Sequence, residues 1–340
     1  MSGEVRIGLI GSGRIARVHA DAYRRVEGGA IVSCVDLVPE VAAAFAHDFG
    51  IAVDASVEAL LARDDLDAVL VASPNGAHAE HVIAALDAGK HVFCQKPIAL
   101  TRQDADRIVA RAEASDRVSQ FGFMLRFTPP LGALRTRVAE GELGELIAFR
   151  AAVFGWEPSA DWFYDPRFGG GVILDTLVHF ADLVLWLLGP VTHVYSDGGA
   201  YVLEGAKRHG SPDNATVLLE HVSGAATGVF VTWTAGHGNF TLEIYGTNGS
   251  LSTDLVEKQV TRMFLREPFQ FEGRQITDGW SFPDLVWSYS YSAEQQYFVD
   301  QILGRADGAG AANVDEARAA LAVSLAAQQS LDERKVVMVA

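Results

Sequence analysis

The chain has 340 residues, 49% hydrophobic and 21% charged, a length and balance that support two domains with full apolar cores. Its formal net charge of −16, with no clustered run of Lys and Arg, argues against nucleic acid or an anionic membrane surface and leaves a small, mostly uncharged ligand as the better partner. Cys34 and Cys94 lie in strand-like apolar runs and read as buried thiols in a reducing compartment; with no leader-like segment and no run of ~18 apolar residues, a cytoplasmic protein is expected.

The run Val5–Ile10 is short and nearly continuously apolar, as a strand buried on both faces is. It stops at Gly11-Ser12-Gly13-Arg14-Ile15-Ala16, a G-x-G-x-x-A turn opening a helix near Arg14. Such a turn brings backbone N–H groups against a pyrophosphate at the positive end of the helix. The next strand, Ala30 to Val35, ends in Asp36, 25 residues past Gly11, where a carboxylate accepts from ribose hydroxyls and repels a 2′-phosphate. Leu37 and Val38 offer no guanidinium, so NAD is expected over NADP, with Arg14 the residue most able to reverse that preference.

Strands and helices keep alternating: a helix over Pro39 to Asp48, a strand at Ile51 to Val53, a helix over Ser56 to Ala62 and a strand over Ala68 to Ala72. This order predicts a parallel, doubly wound sheet. The last strand ends in Ser73-Pro74-Asn75-Gly76-Ala77-His78, at the carboxyl edge where such sheets bind ligands, and a helix from Ala77 to Ala88 follows. His78 and His81 have ligand spacing, but no third and fourth ligand accompanies them, so no metal is expected. The strand from His91 to Cys94 leads into Gln95-Lys96-Pro97, placing Lys96 at a carboxyl strand end beside the expected nicotinamide edge. A helix from Thr101 to Ala114 and a strand from Val118 to Phe123 complete the sheet. The division is expected as 1–124 for dinucleotide binding and 125–340 for an α+β domain.

A helix over Leu131 to Glu140 and a strand over Leu146 to Phe154 open the second domain. Residues 155–168 follow, with Trp156, Trp162, Phe163, Tyr164 and Phe168 beside carboxylates and Arg167. They suit either a polyol pocket or an aromatic plug over the core. Next comes Gly169-Gly170-Gly171 and a helix that is apolar on nearly every side from Val172 to Leu188, except for Asp175 and His179 one turn apart and Asp182 three residues on. An ionisable pair is costly there unless it is partnered or has work to do. From Val191 to Leu265 the runs are β-branched and partly alternating, as in a mostly antiparallel open sheet that wants a partner. Tyr289, Tyr291 and His237 are weaker pocket candidates, and a helix from Val314 to Leu331 closes the chain.

Taken together, Gly11-x-Gly13-x-x-Ala16, Ser73-Pro74-Asn75-x-x-His78, Lys96-Pro97 and Gly169-Gly170-Gly171 with Asp175 and His179 resemble the glucose-fructose oxidoreductase and inositol dehydrogenase (MocA-like) family. The resemblance implies a Rossmann domain followed by an α+β domain with a large open sheet, and homodimers or homotetramers built through that sheet. It implies hydride transfer between a nicotinamide cofactor and a ring hydroxyl or ketone of a cyclitol or sugar, with Lys96, Asp175 and His179 catalytic. Gly11, Ser12, Gly13, Arg14, Ile15, Asp36, Ser73, Pro74, Asn75, His78, Gln95 and Lys96 are then expected at the cofactor. Arg126, Trp156, Trp162, Asp175 and His179 are expected at the substrate. One departure is plain: the family's triplet is Glu-Lys-Pro, and Gln95 stands where the glutamate is expected. Two alternatives stay open on this fold, a keto-sugar reductase with tightly held cofactor and a non-catalytic sugar or cofactor sensor.

Overall fold

The computed structural model describes residues 4–155, 157–158, 160–236, 239–256, 260–265, 278–281 and 286–339. The chain divides into two compact units, the first Met1–Phe127 with Trp287–Arg318, the second Thr128–Val286 with Ala319–Ala340.

The first unit runs β1 (Val5–Ile10), α1 (Arg14–Tyr23), β2 (Gly29–Val35), α2 (Pro39–Phe49), β3 (Ala52–Val53), α3 (Val57–Leu61) and β4 (Ala68–Val71). After β4 come α4 (His78–Asp87), β5 (His91–Gln95), α5 (Arg102–Glu113) and β6 (Ser119–Gly122). The strands form a parallel sheet in the order β3-β2-β1-β4-β5-β6. All four residues of β4 are buried, the consequence of a sheet covered on both faces. Strand order reverses between β1 and β4, the position where open α/β sheets form their ligand crevice.

The expected boundary moves in two ways. It falls after Phe127, and a later segment of the chain returns to this unit. Phe298 and Val299 join Val5, Ile7, Leu9, Phe45, Leu70 and Phe93 in one apolar core. The buried Tyr23 hydroxyl donates to Gln295 at 3.0 Å, and Gln120 donates to the Glu294 carbonyl at 3.1 Å. Burial of these groups draws Trp287–Arg318 to the first sheet, a long-range preference that no local pattern reveals.

The second unit begins with α6 (Pro129–Ala139) and β7 (Leu146–Phe154), followed by α7 (Val178–Leu188), β8 (Val191–Gly199) and α8 (Glu204–His209). Then come β9 (Asn214–His221), β10 (Ala226–Thr232), β11 (Asn239–Gly246), β12 (Gly249–Asp254), β13 (Val260–Leu265) and β14 (Asp278–Ser281). Helix α9 (Val286–Ile302), from Trp287 on, and the start of α10 (Val314–Glu333) belong to the first unit, and the rest of α10 and the strand β15 (Val337–Met338) to the second. The sheet has the order β14-β13-β12-β11-β7-β10-β9-β8-β15 and is antiparallel except where β7 and β10 run parallel. Strict alternation of buried and exposed residues along β9 marks one covered face and one open one. Among the described residues no helix is long and apolar enough to cross a membrane.

Candidate active site

In the first unit the glycine turn is built as the motif demands. Gly11 has φ +90°, and a Cβ on it would meet the Ala72 carbonyl oxygen at 2.7 Å, so glycine alone fits. Gly13 forms the N-terminal boundary of α1, where no side chain caps the helix and the first turn carries no acidic residue. A Cβ on Gly13 would meet nothing within 4 Å. Uncapped N–H groups, the positive end of a helix dipole and open space at Gly13 fit a pyrophosphate. Arg14 is exposed at the first helical position, Ile15 is half-buried behind it, and Ala16 is fully buried against the sheet.

Asp36 is held by two backbone donors, Ser12 N–H to Oδ2 at 2.7 Å and Val38 N–H to Oδ1 at 2.9 Å. Leu37 beside it is 95% exposed. The carboxylate is thus oriented at the end of β2, where an adenosine ribose would lie. At the neighbouring strand end Ser73 and Asn75 are largely buried, Pro74 is half-buried, and Ser73 Oγ bonds His81 Nδ1 at 2.9 Å. The residues present fit a nicotinamide dinucleotide: the Gly11–Ile15 turn for the phosphates, Asp36 for the ribose and Ser73 to Asn75 for the other half.

Three expected contacts change role. His78, expected at the cofactor, is fully buried, with Nδ1 on the Pro97 carbonyl at 2.8 Å and Nε2 on the Ser73 carbonyl at 3.0 Å. Burial pulls its pKa down to about 4, against the pull of those two carbonyls, and a neutral ring, with a single N–H, donates to one of them at a time. Gln95 also turns inward, its amide meeting Nε2 of His19, itself fully buried and lowered to about 3 by burial. One buried imidazole therefore meets the Gln95 side chain and the other the Pro97 carbonyl, on either side of Lys96, whose bond to Pro97 is cis. Arg126, expected at the substrate, has a side chain only 1% exposed and paired with Glu316 at 3.1 Å. Removed from water, its guanidinium is stabilised by that carboxylate and serves the fold.

In the second unit the glycines before the helix that carries Asp175 and His179 are required. Gly170 and Gly171 have φ +83° and +73°, and the Val172 N–H is taken by the Pro212 carbonyl at 3.1 Å. The expected continuous α-helix is interrupted: Ile173–Leu177 is a π-helical turn, and regular helix starts at Val178. In a regular helix residues four apart overshoot a full turn by ~40°; the wider turn removes part of that offset between Asp175 and His179.

From Gly171 to Val184 only Asp175, Thr176 and His179 escape full burial. The helix thus presents three polar side chains through an otherwise apolar surface. Asp182 lies buried below them at 1% exposure. The Trp233 indole N–H donates to Thr176 Oγ1 at 2.9 Å, and Thr176 Oγ1 lies 3.5 Å from Asp175 Oδ2. Neither Thr176 nor Trp233 was signalled by a motif; the strand position of Trp233, one residue past β10, is what delivers it.

Of the aromatic loop, Trp162 is half-buried and stacks on Phe163 with ring centroids 3.8 Å apart. Arg167 pairs with Asp165 at 2.6 Å and lies over Phe168, whereas Trp156 and His237 lie outside the described residues. Tyr289 is exposed, and Tyr291 meets the His19 ring edge-on at 5.4 Å. Among the described residues no group of three or more His, Cys, Asp or Glu is placed to hold a metal ion.

Two family models match successive parts of the chain. Residues 5–123 match the GFO/IDH/MocA oxidoreductase family, NAD-binding Rossmann fold, and residues 132–252 match the GFO/IDH/MocA C-terminal domain. The 1,5-anhydro-D-fructose reductase of Ensifer adhaerens is 36% identical over 252 residues, covering 72% of this chain and 74% of that one. The myo-inositol 2-dehydrogenase of Thermotoga maritima is 28% identical over 336 residues, 98% of each chain. A levoglucosan dehydrogenase in complex with NADH and levoglucosan has the same fold, with a TM-score of 0.88 at 22% identity over 99% of both chains. The G-x-G-x-x-A turn at the switch point and the Asp175–His179 helix therefore belong to a member of the GFO/IDH/MocA family, an NAD(P)-dependent oxidoreductase.

Proposed function

We propose that this enzyme uses NAD in preference to NADP to interconvert a ring hydroxyl and ketone on a cyclitol or pyranose sugar. The observation that carries this reading is the set of polar side chains, Asp175, Thr176 and His179, presented by a buried apolar helix. In alcohol oxidation the ring carbon loses its hydrogen with both bonding electrons, and the hydroxyl proton leaves so that the C=O bond forms. NAD, when bound, supplies the acceptor for that hydride. His179 takes the proton, since a neutral imidazole offers a ring nitrogen lone pair to accept it. Asp175 orients the substrate by accepting from a hydroxyl. The Lys96 ammonium stabilises negative charge developing on the substrate oxygen. Trp162, with one face on Phe163, offers the stacking surface for a sugar ring.

Similarity to a reductase of 1,5-anhydro-D-fructose supports a second reading, in which the same groups run in reverse and reduce a keto-sugar. The test is NAD reduction with cyclitols, aldoses and anhydrosugars, beside NADH oxidation with the matching ketoses. Lys96→Ala and His179→Ala are expected to lower kcat by at least about a hundredfold while NAD affinity and Tm stay near wild type. Near-normal turnover in either variant removes the role given to that residue.

A further inference from the structure

We propose that Thr176 is a positioning residue for Asp175, with its hydroxyl aimed by the Trp233 indole. The inference rests on the reading above, in which Asp175 meets the substrate. An indole N–H can only donate, so Thr176 Oγ1 accepts from Trp233 at 2.9 Å. The threonine's own hydrogen must then point elsewhere, and Asp175 Oδ2 lies at 3.5 Å. That separation is long for O–H···O, as catalytic contacts without substrate commonly are, and closes with a small rotation of either side chain.

Trp233 is a firm anchor for such a relay. It is 4% exposed, and its backbone N–H is fixed on the Asp213 carbonyl at 2.9 Å. Its ring meets Tyr164 edge-on at 5.7 Å, and a Cβ on Gly155 would stand 3.0 Å from its Cδ1. The indole has little room to turn. The π-helical turn matters too: adjacent residues of a regular helix do not face one another, and Asp175 and Thr176 both sit in the widened turn Ile173–Leu177. A hydroxyl donated to Oδ2 sets the plane of the carboxylate, so one orientation of Asp175 is presented to substrate hydroxyls.

The test compares Thr176→Val, Thr176→Ser, Trp233→Phe and Asp175→Asn with wild type on the best substrate of the panel, with NAD affinity and Tm measured in parallel. Thr176→Val, similar in volume, is expected to lower kcat about tenfold, the worth of one well-placed hydrogen bond, with substrate KM changing less than threefold. Thr176→Ser restores kcat to within about threefold of wild type, and Trp233→Phe falls between the two. All three keep NAD affinity. Wild-type kcat in Thr176→Val, or a Thr176→Ser variant as slow as Thr176→Val, overturns the positioning role. If Asp175→Asn itself retains wild-type kcat, the reading of Asp175 fails and the positioning role falls with it. Loss in Asp175→Asn beside full activity in Thr176→Val overturns this inference alone.

Discussion

The carboxylate of Asp36 accepts one backbone N–H from the glycine turn and one from the residue after Leu37, which ties the end of β2 to the start of α1. Its position at the end of β2, the proposed ribose contact, therefore does not depend on a flexible rotamer. A 2′-phosphate would be placed against a fixed negative charge, with the exposed Leu37 offering no compensating donor. The expected outcome is a kcat/KM ratio of NAD over NADP of at least about a hundredfold, since a like-charge contact costs several kcal/mol. Asp36→Ser combined with Leu37→Arg is expected to shift the ratio toward NADP. A wild-type preference for NADP refutes the assignment to Asp36.

Around Lys96 it is the supporting elements that act. The loop from Gln95 to Pro97 leaves β5 between His19 on α1 and His78 on α4, and both imidazoles are fully buried. A carboxylate at position 95 would set a charge beside a histidine that burial keeps neutral; the amide of Gln95 meets the same ring without that cost. The consequence is a pH dependence of known sign. Unfolded histidines protonate near pH ~6.5, these two only at about 3 and about 4 when folded, so below ~6.5 the unfolded chain binds protons the native state refuses. The stabilisation is complete above ~6.5 and is lost as pH falls toward those folded values, up to ~2 kcal/mol per histidine between pH 7 and pH 5. Ring 15N spectra of His19 and His78 are expected to show neutral imidazole at pH 5.5. Titration of either ring near 6.5 would remove the argument.

For the whole molecule, the open face of the second sheet is the surface with most consequence. Tyr195, Leu218, Phe230 and Tyr245 project from β8, β9, β10 and β11 at 40%, 53%, 37% and 37% exposure. Tyr195 and Leu218 are cross-strand partners, so the apolar surface is continuous across that pair. Sheet faces of this kind are normally covered, and self-association through this one is the proposed arrangement. Light scattering is expected to give a dimer or tetramer for wild type and smaller species for Leu218→Glu with Phe230→Glu. A wild-type monomer would sink that arrangement.

Local signals determined much of this protein. Continuous apolar runs gave away β1 and β4, glycine spacing located the turn at Gly11 and Gly13, and an Asp and a His four apart inside an oily helix pointed to the candidate site. Each depends on residues near in sequence, whose backbone and burial preferences act over one turn or one strand. Tertiary structure decided what distance in the chain conceals. Burial of Phe298 and Val299 returned Trp287–Arg318 to the first unit. Removal from water assigned His78, Gln95 and Arg126 to bracing, because a buried polar group must find its partner wherever the fold brings one. Thr176 and Trp233, 57 residues apart, entered the candidate site only because β10 ends beside the π-helical turn.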